Sequence, residues 1–144
     1  MKTLPILIVA EPGFEPKFAN PGDAGADLRS RESKTLLAGA RENFSTGVSI
    51  AIPNGYVGLV HPRSGLAAKY GITVLNAPGT IDAGYRGEIL VTLLNTSDLD
   101  FEVAAGDRIA QIVFQKFEAV EFISVSQLPD SHRGANGFGS TGRS

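Results

Sequence analysis

The sequence predicts an all-β fold, either a sandwich or a barrel. Short β-rich runs recur at roughly 8–12-residue spacing, which is typical of this class. No long segment keeps the 3.6-residue period of a helix, which argues against α/β folds. The 17 glycines and 8 prolines separate the runs from one another. The runs cover residues 4–10, 45–52, 55–62, 71–77, 87–95, 107–117 and 119–128.

Two elements have clear local patterns. Residues 45–52, STGVSIAI, alternate as a half-buried strand does, which places Val48, Ile50 and Ile52 on one face. Residues 64–70, SGLAAKY, are rich in Ala and Leu and form the one predicted helical turn.

Turn sequences predict two hairpins. Residues 53–56, PNGY, contain the Asn-Gly pair that favours tight hairpin turns. Residues 79–89, GTIDAGYRGEI, resemble a second hairpin with Asp82 at its tip. Asp followed by Ala-Gly is ordinary turn chemistry, yet a lone carboxylate can also be the general base for a water. The residues alone leave both roles open.

Length and composition indicate one domain with a C-terminal arm. A chain of 144 residues fits a single domain. Residues 133–144 are rich in Gly and Ser, which is typical of a flexible segment. We therefore expect a domain over residues 1–132 and an arm over 133–144.

Charge and cysteine content exclude several functions. The net charge is −2 and no basic stripe is present, so direct nucleic-acid binding is not expected. The absence of Cys removes disulfides and thiolate metal sites and fits a reducing, cytoplasmic location. The apolar run near the N-terminus is broken by Pro5, ends at Glu11 and is too short to span a membrane.

Several polar stretches are candidates for binding phosphate. Arg63, Ser64 and Gly65 precede the predicted helical turn, where free amides favour anions, although a Ser there is most often an N-cap. Arg108 and Gln111 stand three residues apart in an apolar strand, so a regular strand places them on opposite faces, as expected for polar residues at an edge or a surface. A β-bulge or the end of a sheet would bring both to one site.

Two further stretches carry candidate ligands. Asp27 is a possible oxygen ligand for a hard cation such as Mg²⁺. The tail offers Arg133, the hydroxyls of Ser140 and Thr141, and glycine amides, which together suit a phosphate, although its composition alone favours a disordered segment.

Five of these stretches, in order, resemble the five motifs of the homotrimeric dUTPases, and the resemblance spans about residues 22–142. They are DAGADL (23–28), PRSGLAAK (62–69), NAPGTIDAGYRGEI (76–89), GDRIAQIVF (106–114) and RGANGFGSTG (133–142). The resemblance implies a jelly-roll-like β-barrel and hydrolysis of dUTP to dUMP and pyrophosphate with Mg²⁺. That reaction keeps uracil out of DNA and supplies dUMP for thymidylate synthesis. It also implies a homotrimer whose active sites lie between subunits and are closed by the arm of a partner.

The resemblance also assigns roles on the nucleoside side. Asp82 is implied as the general base and Tyr85 as the residue that packs on the deoxyribose and leaves no space for a 2′-hydroxyl. Phe138 of the arm is expected to stack on uracil. The uracil edge is expected to be read by Asn76 and by the backbone of Gly79, Thr80, Ile81 and Asp82, and Leu90 lines the same hairpin.

On the phosphate side the resemblance implies that Gln111 orients phosphate or the attacking water and that Arg108 supports its strand. Asp27 reaches Mg²⁺ through water. The remaining phosphate contacts are expected from Arg63, Ser64, Gly65, Arg133, Gly139, Ser140 and Thr141.

Two rival functions stay open from the sequence. A dCTP deaminase of the same fold acts on the base rather than on the phosphate, and Asp82, Tyr85 and the complete arm favour the dUTPase. A non-catalytic jelly-roll binding module is the second rival, because fold alone does not imply function.

Overall fold

The structure is a computed structural model that describes residues 2–143, and it is all-β with one short helix, as predicted. Among the described residues no helix is long and apolar enough to cross a membrane. The elements, numbered along the chain, are β1 Leu7–Ala10, β2 Ala26–Arg29, β3 Lys34–Leu36, β4 Arg41–Ser45, β5 Val48–Ala51, β6 Tyr56–His61, α1 Ser64–Tyr70, β7 Ile72–Val74, β8 Gly79–Ile81, β9 Leu90–Asn95, β10 Phe101–Val103 and β11 Arg108–Lys116.

All strand pairs are antiparallel and form four small sheets. The largest has the order β2-β11-β6-β8, and a three-stranded sheet has the order β4-β9-β7. Strands β1 and β5 form one pair, and β3 and β10 form another. The sheets do not close into a continuous hydrogen-bonded barrel, and the arrangement is that of a jelly-roll-like β fold.

Alternating side chains of the strands build the core. Val48, Ile50 and Ile52 are all buried on one face, which confirms the predicted alternation. Phe44 from β4 and Leu28 from β2 are completely buried in the same cluster. Burial of a side chain of this size contributes roughly 1.5–3 kcal/mol, so these strands are held mainly by their inward faces.

Both predicted hairpins are wrong, because the strands on either side of each turn belong to different sheets. After the turn at 53–56, β5 pairs with β1 whereas β6 pairs with β11 and β8. Only Gly55 of the Asn-Gly pair has positive φ, so the turn lacks the double positive φ of the type I′ hairpin. Likewise β8 pairs with β6 while β9 pairs with β4 and β7, so residues 82–89 form a crossing loop, here named the Asp82 loop.

The predicted strand over 119–128 is also wrong. No described residue after Lys116 is in a strand, and nearly all residues from 117 to 143 are exposed. A strand needs a partner, and none of the described residues pairs with this segment. Its exposed apolar side chains are Phe117, Val120, Phe122, Ile123, Val125 and Leu128.

Candidate active site

Three of the five motifs meet around one open cavity of about 750 Å³, here named the Asp27 cavity. Strand β2, the end of β6, the start of α1 and strand β11 supply its walls. The candidate residues that line it are Asp27, Arg63, Ser64, Gly65 and Gln111.

Two arginines flank the carboxylate of Asp27. Arg63 Nε lies 3.2 Å from Asp27 Oδ1, and Arg108 Nη1 lies 3.4 Å from Asp27 Oδ2. The register of β11 against β2 shifts between Arg108 and Ala110, which is one of the two ways in which the sequence allowed both residues to reach one site. The bulge therefore lets Arg108 reach Asp27 while Gln111 lines the cavity beside it. The Asp27 carboxylate therefore lies between two guanidinium groups, and Asp23 adds a second carboxylate to the lining of the cavity.

Gln111 is held rigidly in this cavity. Its backbone pairs with Asp27 on one side and with His61 on the other, and its Nε2 donates to the Pro62 carbonyl over 3.0 Å. A Cβ on Gly25 would stand only 2.2 Å from Gln111 Oε1. Gly25 is therefore the residue that makes space for the Gln111 amide.

The first turn of α1 opens on the same cavity. The N-cap is Arg63, so Ser64 is the first helical residue and does not cap the helix. The first intrahelical bond runs from Ala67 N to Arg63 O, so the amides before Ala67 have no helical partner. The Ser64 hydroxyl and the Gly65 amide are exposed together at this edge. They are available to a phosphate oxygen.

The third motif lines a second, smaller cavity of about 190 Å³. The Asp82 loop begins with a turn in which Tyr85 N donates to Asp82 O over 3.1 Å. The Asp82 side chain is exposed at this turn. The candidate residues that line the cavity are Thr80, Ile81, Asp82, Tyr85 and Leu90. The Asp27 cavity and this one share no lining residue.

Tyr85 is fixed against its own loop. Its hydroxyl donates to the Glu88 carbonyl over 2.8 Å. A Cβ on Gly87 would lie 2.5 Å from that hydroxyl oxygen and 2.7 Å from Cζ, so the ring packs directly on the Gly87 backbone. One face of a half-exposed ring is thereby presented to the cavity.

Asn76 and Gly79 lie at the entry to this loop. Gly79 is buried, and a Cβ there would lie 3.4 Å from Asn76 Nδ2 and from Val60 Cβ. The Ala77-Pro78 peptide between them is cis. The absent side chain of Gly79 keeps the Asn76 amide close to the start of β8.

The candidate residues of the tail stand apart from both cavities. Arg133 Nε donates to Asn136 O over 2.7 Å, and Phe138 is fully exposed with a φ of 48°. Gly139, Ser140 and Thr141 are exposed as well. No residue from 133 to 143 lines either cavity. One chain thus presents the five motifs as three separate groups.

Two residues that bear on the site were missed from the sequence. Gly25 looks like a turn residue, and only the nearness of Gln111 reveals its role. Glu88 looks like a surface residue of the predicted hairpin, whereas its carbonyl holds Tyr85. The Gly-Tyr-x-Gly-Glu spacing of residues 84–88 was visible, but the partner atoms were not.

The described residues contain no cluster of three side chains from His, Cys, Asp and Glu that could hold a metal ion alone. Asp27 is one carboxylate, and two arginines already contact it. Mg²⁺ accepts few protein carboxylates and keeps waters and substrate phosphates as its other ligands. The donor set therefore fits a cation that arrives with a polyphosphate and not a site built by protein alone.

Comparisons with known proteins point to one family. The dUTPase family model matches residues 14–142. The deoxyuridine 5′-triphosphate nucleotidohydrolase of Thermobifida fusca is 57% identical over 128 residues, covering 88% of this chain and 72% of that protein.

Two solved structures have the same fold. The Staphylococcus bacteriophage 80alpha dUTPase with dUPNHPP superposes with a TM-score of 0.89 at 27% identity, over 98% of this chain and all of the phage chain. A point variant of the phage phi11 dUTPase, described with a structural Mg(II) ion, superposes with a TM-score of 0.78 at 25% identity, over 86% and 98% of the two chains. The chain belongs to the dUTPase family.

Proposed function

We propose that this chain hydrolyses dUTP to dUMP and pyrophosphate in sites that several copies complete together. The observation that carries the proposal is the separation of its motifs. Guanidinium, hydroxyl and amide donors suited to phosphates line one cavity of the chain, and a turn with a carboxylate beside an aromatic ring lines another. A site that needs both groups is formed when a second copy brings its Asp82 loop to the Asp27 cavity.

The triphosphate binds in the Asp27 cavity. Arg63 and Arg108 supply charge, and a phosphate oxygen competes with Asp27 for their guanidinium groups. Ser64 and the Gly65 amide donate to bridging and β-phosphate oxygens. Gln111 is already held by Pro62, so its remaining amide atoms orient a phosphate or the attacking water.

Mg²⁺ is the cofactor of this proposal. Asp27 would hold it through a water, together with the phosphates of the substrate. When bound, it neutralises charge that develops on the phosphates.

The nucleoside binds in the cavity of the Asp82 loop. Asn76 and the backbone from Gly79 to Asp82 read the uracil edge. Cytosine presents an amine where uracil presents a carbonyl, so polar groups of the site would be left mispaired with it. The Tyr85 ring packs on the deoxyribose and excludes a 2′-hydroxyl, and Leu90 borders the pocket.

Asp82 is the general base. It accepts a proton from a water as the water oxygen bonds to the α-phosphorus. The bond from that phosphorus to the bridging oxygen of the β-phosphate breaks, and pyrophosphate leaves. As for phosphoryl transfers generally, the protein contributes mainly by positioning and by electrostatic stabilisation.

The C-terminal arm, residues 133–144, closes the site of a partner. Phe138 stacks on uracil, which is worth roughly 1–3 kcal/mol for a base. Arg133 pairs with an outer phosphate, and Gly139, Ser140 and Thr141 contact the γ-phosphate. The exposure of these described residues on their own chain supports an acceptor site elsewhere.

The assembly is a homotrimer. The exposed apolar side chains from Phe117 to Leu128 support burial against other copies, because large exposed apolar areas mark interaction sites. Leu7 and Val9 of strand β1 are each 76% exposed as well.

Substitution Asp82→Asn tests the base. It keeps the shape of the side chain and removes its basicity, so we expect pyrophosphate release from dUTP to fall by about 10²–10⁴-fold while dUTP still binds. The matched control is Asp98→Asn, because Asp98 is also an exposed loop carboxylate but lines neither cavity. Near-normal turnover of the Asp82→Asn variant would remove the base role.

The same assay distinguishes the rivals. Pyrophosphate is measured with dUTP, dCTP, dTTP and UTP, and ammonia is followed in the same tubes. Ammonia from dCTP would indicate a deaminase. A folded protein that released neither pyrophosphate nor ammonia in any tube would instead be a binding module.

A further inference from the structure

We infer that Glu88 is the positioning residue that sets discrimination against ribonucleotides, because it fastens the Tyr85 ring to the barrel. The inference rests on the proposed packing of Tyr85 against deoxyribose. Glu88 acts at two ends: its carbonyl accepts from Tyr85, and its carboxylate is anchored to the turn between β4 and β5.

The position of the Tyr85 hydroxyl depends on one acceptor, the Glu88 carbonyl oxygen. Among the described residues, the hydrogen bonds of residues 83–87 stay within the Asp82 loop, and the hydroxyl of Tyr85 bonds to the Glu88 carbonyl over 2.8 Å. With the ring resting on Gly87, its tilt follows the orientation of the peptide that carries this carbonyl.

The carboxylate end is held by two hydrogen bonds and one ion pair. Glu88 Oε1 accepts from Gly47 N over 2.7 Å and from Ser45 Oγ. Arg31 Nη1 lies 3.8 Å from the same oxygen, and Arg31 is itself paired with Glu11 over 2.8 Å. These contacts join the Asp82 loop to a turn more than 40 residues earlier in the chain.

Gly47 makes this anchor possible. A Cβ there would lie 2.5 Å from Arg31 Cδ, and its φ of +70° is one that other residues rarely adopt. The glycine thus presents its amide to Glu88 while leaving room for Arg31. Both charged groups reach the same turn.

The next residue fixes the chain on the core side of Glu88. Ile89 N donates to Val48 O over 2.8 Å, and buried Thr46 Oγ1 donates to Ile89 O over 2.6 Å. Those bonds do not involve the Glu88 side chain. Ile89 N belongs to the same peptide as the Glu88 carbonyl, so this peptide is held on the Ile89 side by Val48 and on the Glu88 side by the carboxylate contacts.

Loss of the carboxylate should therefore change specificity more than folding. A ring free to tilt admits a 2′-hydroxyl, and misplacement of about 1 Å at a reacting site can change rates by about 10²-fold. For Glu88→Ala we expect the ratio of kcat/KM for dUTP to that for UTP to fall about tenfold or more.

The experiment measures that ratio for wild type, Glu88→Ala, Glu88→Gln and Tyr85→Ala. The ratio does not depend on the fraction of folded enzyme, because both substrates report on the same preparation. Glu88→Gln keeps an oxygen for the Ser45 and Gly47 donors and should restore most of the discrimination. Glu102→Ala is the matched control, because Glu102 accepts only from Thr35 at a distant strand pair.

The outcomes separate the inference from the function it rests on. If Tyr85→Ala discriminates like wild type, the proposed role of Tyr85 fails. If Tyr85→Ala loses discrimination while Glu88→Ala keeps it, the inference about Glu88 is overturned and the role of Tyr85 stands. Should Glu88→Ala not fold, Ser45→Ala removes one donor to the same carboxylate, and an unchanged ratio there overturns the inference equally.

Discussion

Substitution Gly25→Ala should disable the Asp27 cavity through Gln111. The new Cβ would lie 2.2 Å from Gln111 Oε1 and 3.0 Å from Cδ. Ordinary contacts begin near 3.4 Å, so the amide must retreat by about 1.2 Å. The Gln111 backbone is paired on both sides and cannot follow, so the side chain has to rotate.

The size of the effect follows from that displacement. Rotation breaks the bond from Gln111 Nε2 to Pro62 O, which costs about 0.5–1.5 kcal/mol of stability. The amide also leaves its place in the site, and a shift of about 1 Å can lower the rate by about 10²-fold. We therefore expect kcat/KM for dUTP to fall about 100-fold in a protein that unfolds only slightly earlier.

A double-mutant cycle tests the route of the effect. Pyrophosphate release is measured for Gly25→Ala, Gln111→Ala and the double variant, with thermal unfolding of each. If Gly25 acts by making space for Gln111, then Gly25→Ala should cost almost nothing once Gln111 is alanine. The reasoning would be refuted if the losses of the two single variants added in the double variant, or if Gly25→Ala were as active as wild type.

Three further predictions concern the arm, the core and acid stability. Deletion of residues 133–144 should strongly lower the turnover of dUTP and leave the thermal unfolding temperature unchanged. Wild-type turnover in the truncated protein would contradict the proposed role of the arm in closing the site. Phe44→Ala should cost about 3–5 kcal/mol in urea unfolding, and exposed Phe18→Ala should cost little. Hydrogen bonds from Lys34 and then from the Ser45 amide lower the pKa of Glu32. The stability that Glu32 contributes to the fold is therefore fully present above its ordinary pKa of 4.5 and is lost as pH falls through the lowered pKa. Glu32→Gln should lose less stability than wild type over that acid range; equal losses would contradict this.

Local sequence predicted the elements whose pattern is complete within a few residues. The helix is found at Ser64–Tyr70 as predicted, and the inward face of 48–52 is buried. The offset between Arg108 and Gln111 allowed for a bulge in β11, and the register of the strand does shift there. In each case the residues that indicate the element lie close together in the sequence.

Strand partners could not be predicted in the same way. Asn54-Gly55 specifies a turn, but which strand pairs with β5 depends on β1, which lies more than 35 residues away in the chain. Strands β3, β8 and β10 have only three residues, too few to show alternation. The segment 119–128 has strand composition without a partner strand in its own chain.

The candidate site shows the same contrast between local patterns and long-range contacts. Asp27, Arg63 and Gln111 could be grouped by motif, and they do line one cavity. The roles of Gly25 and Glu88 depend on atoms from distant strands, so no local pattern contains them. Contacts set by tertiary approach are visible only once the sheets are assembled.

The two cavities of one chain have no lining residue in common, and this has a consequence for assemblies that mix two variants. If an active site takes the Asp82 loop from one copy and the Asp27 cavity from another, two inactive variants can complement each other. Equal mixing of Asp82→Asn and Arg63→Ala chains would leave about a quarter of the sites with both halves intact. Activity would then reappear in a mixture of two proteins that are each silent alone.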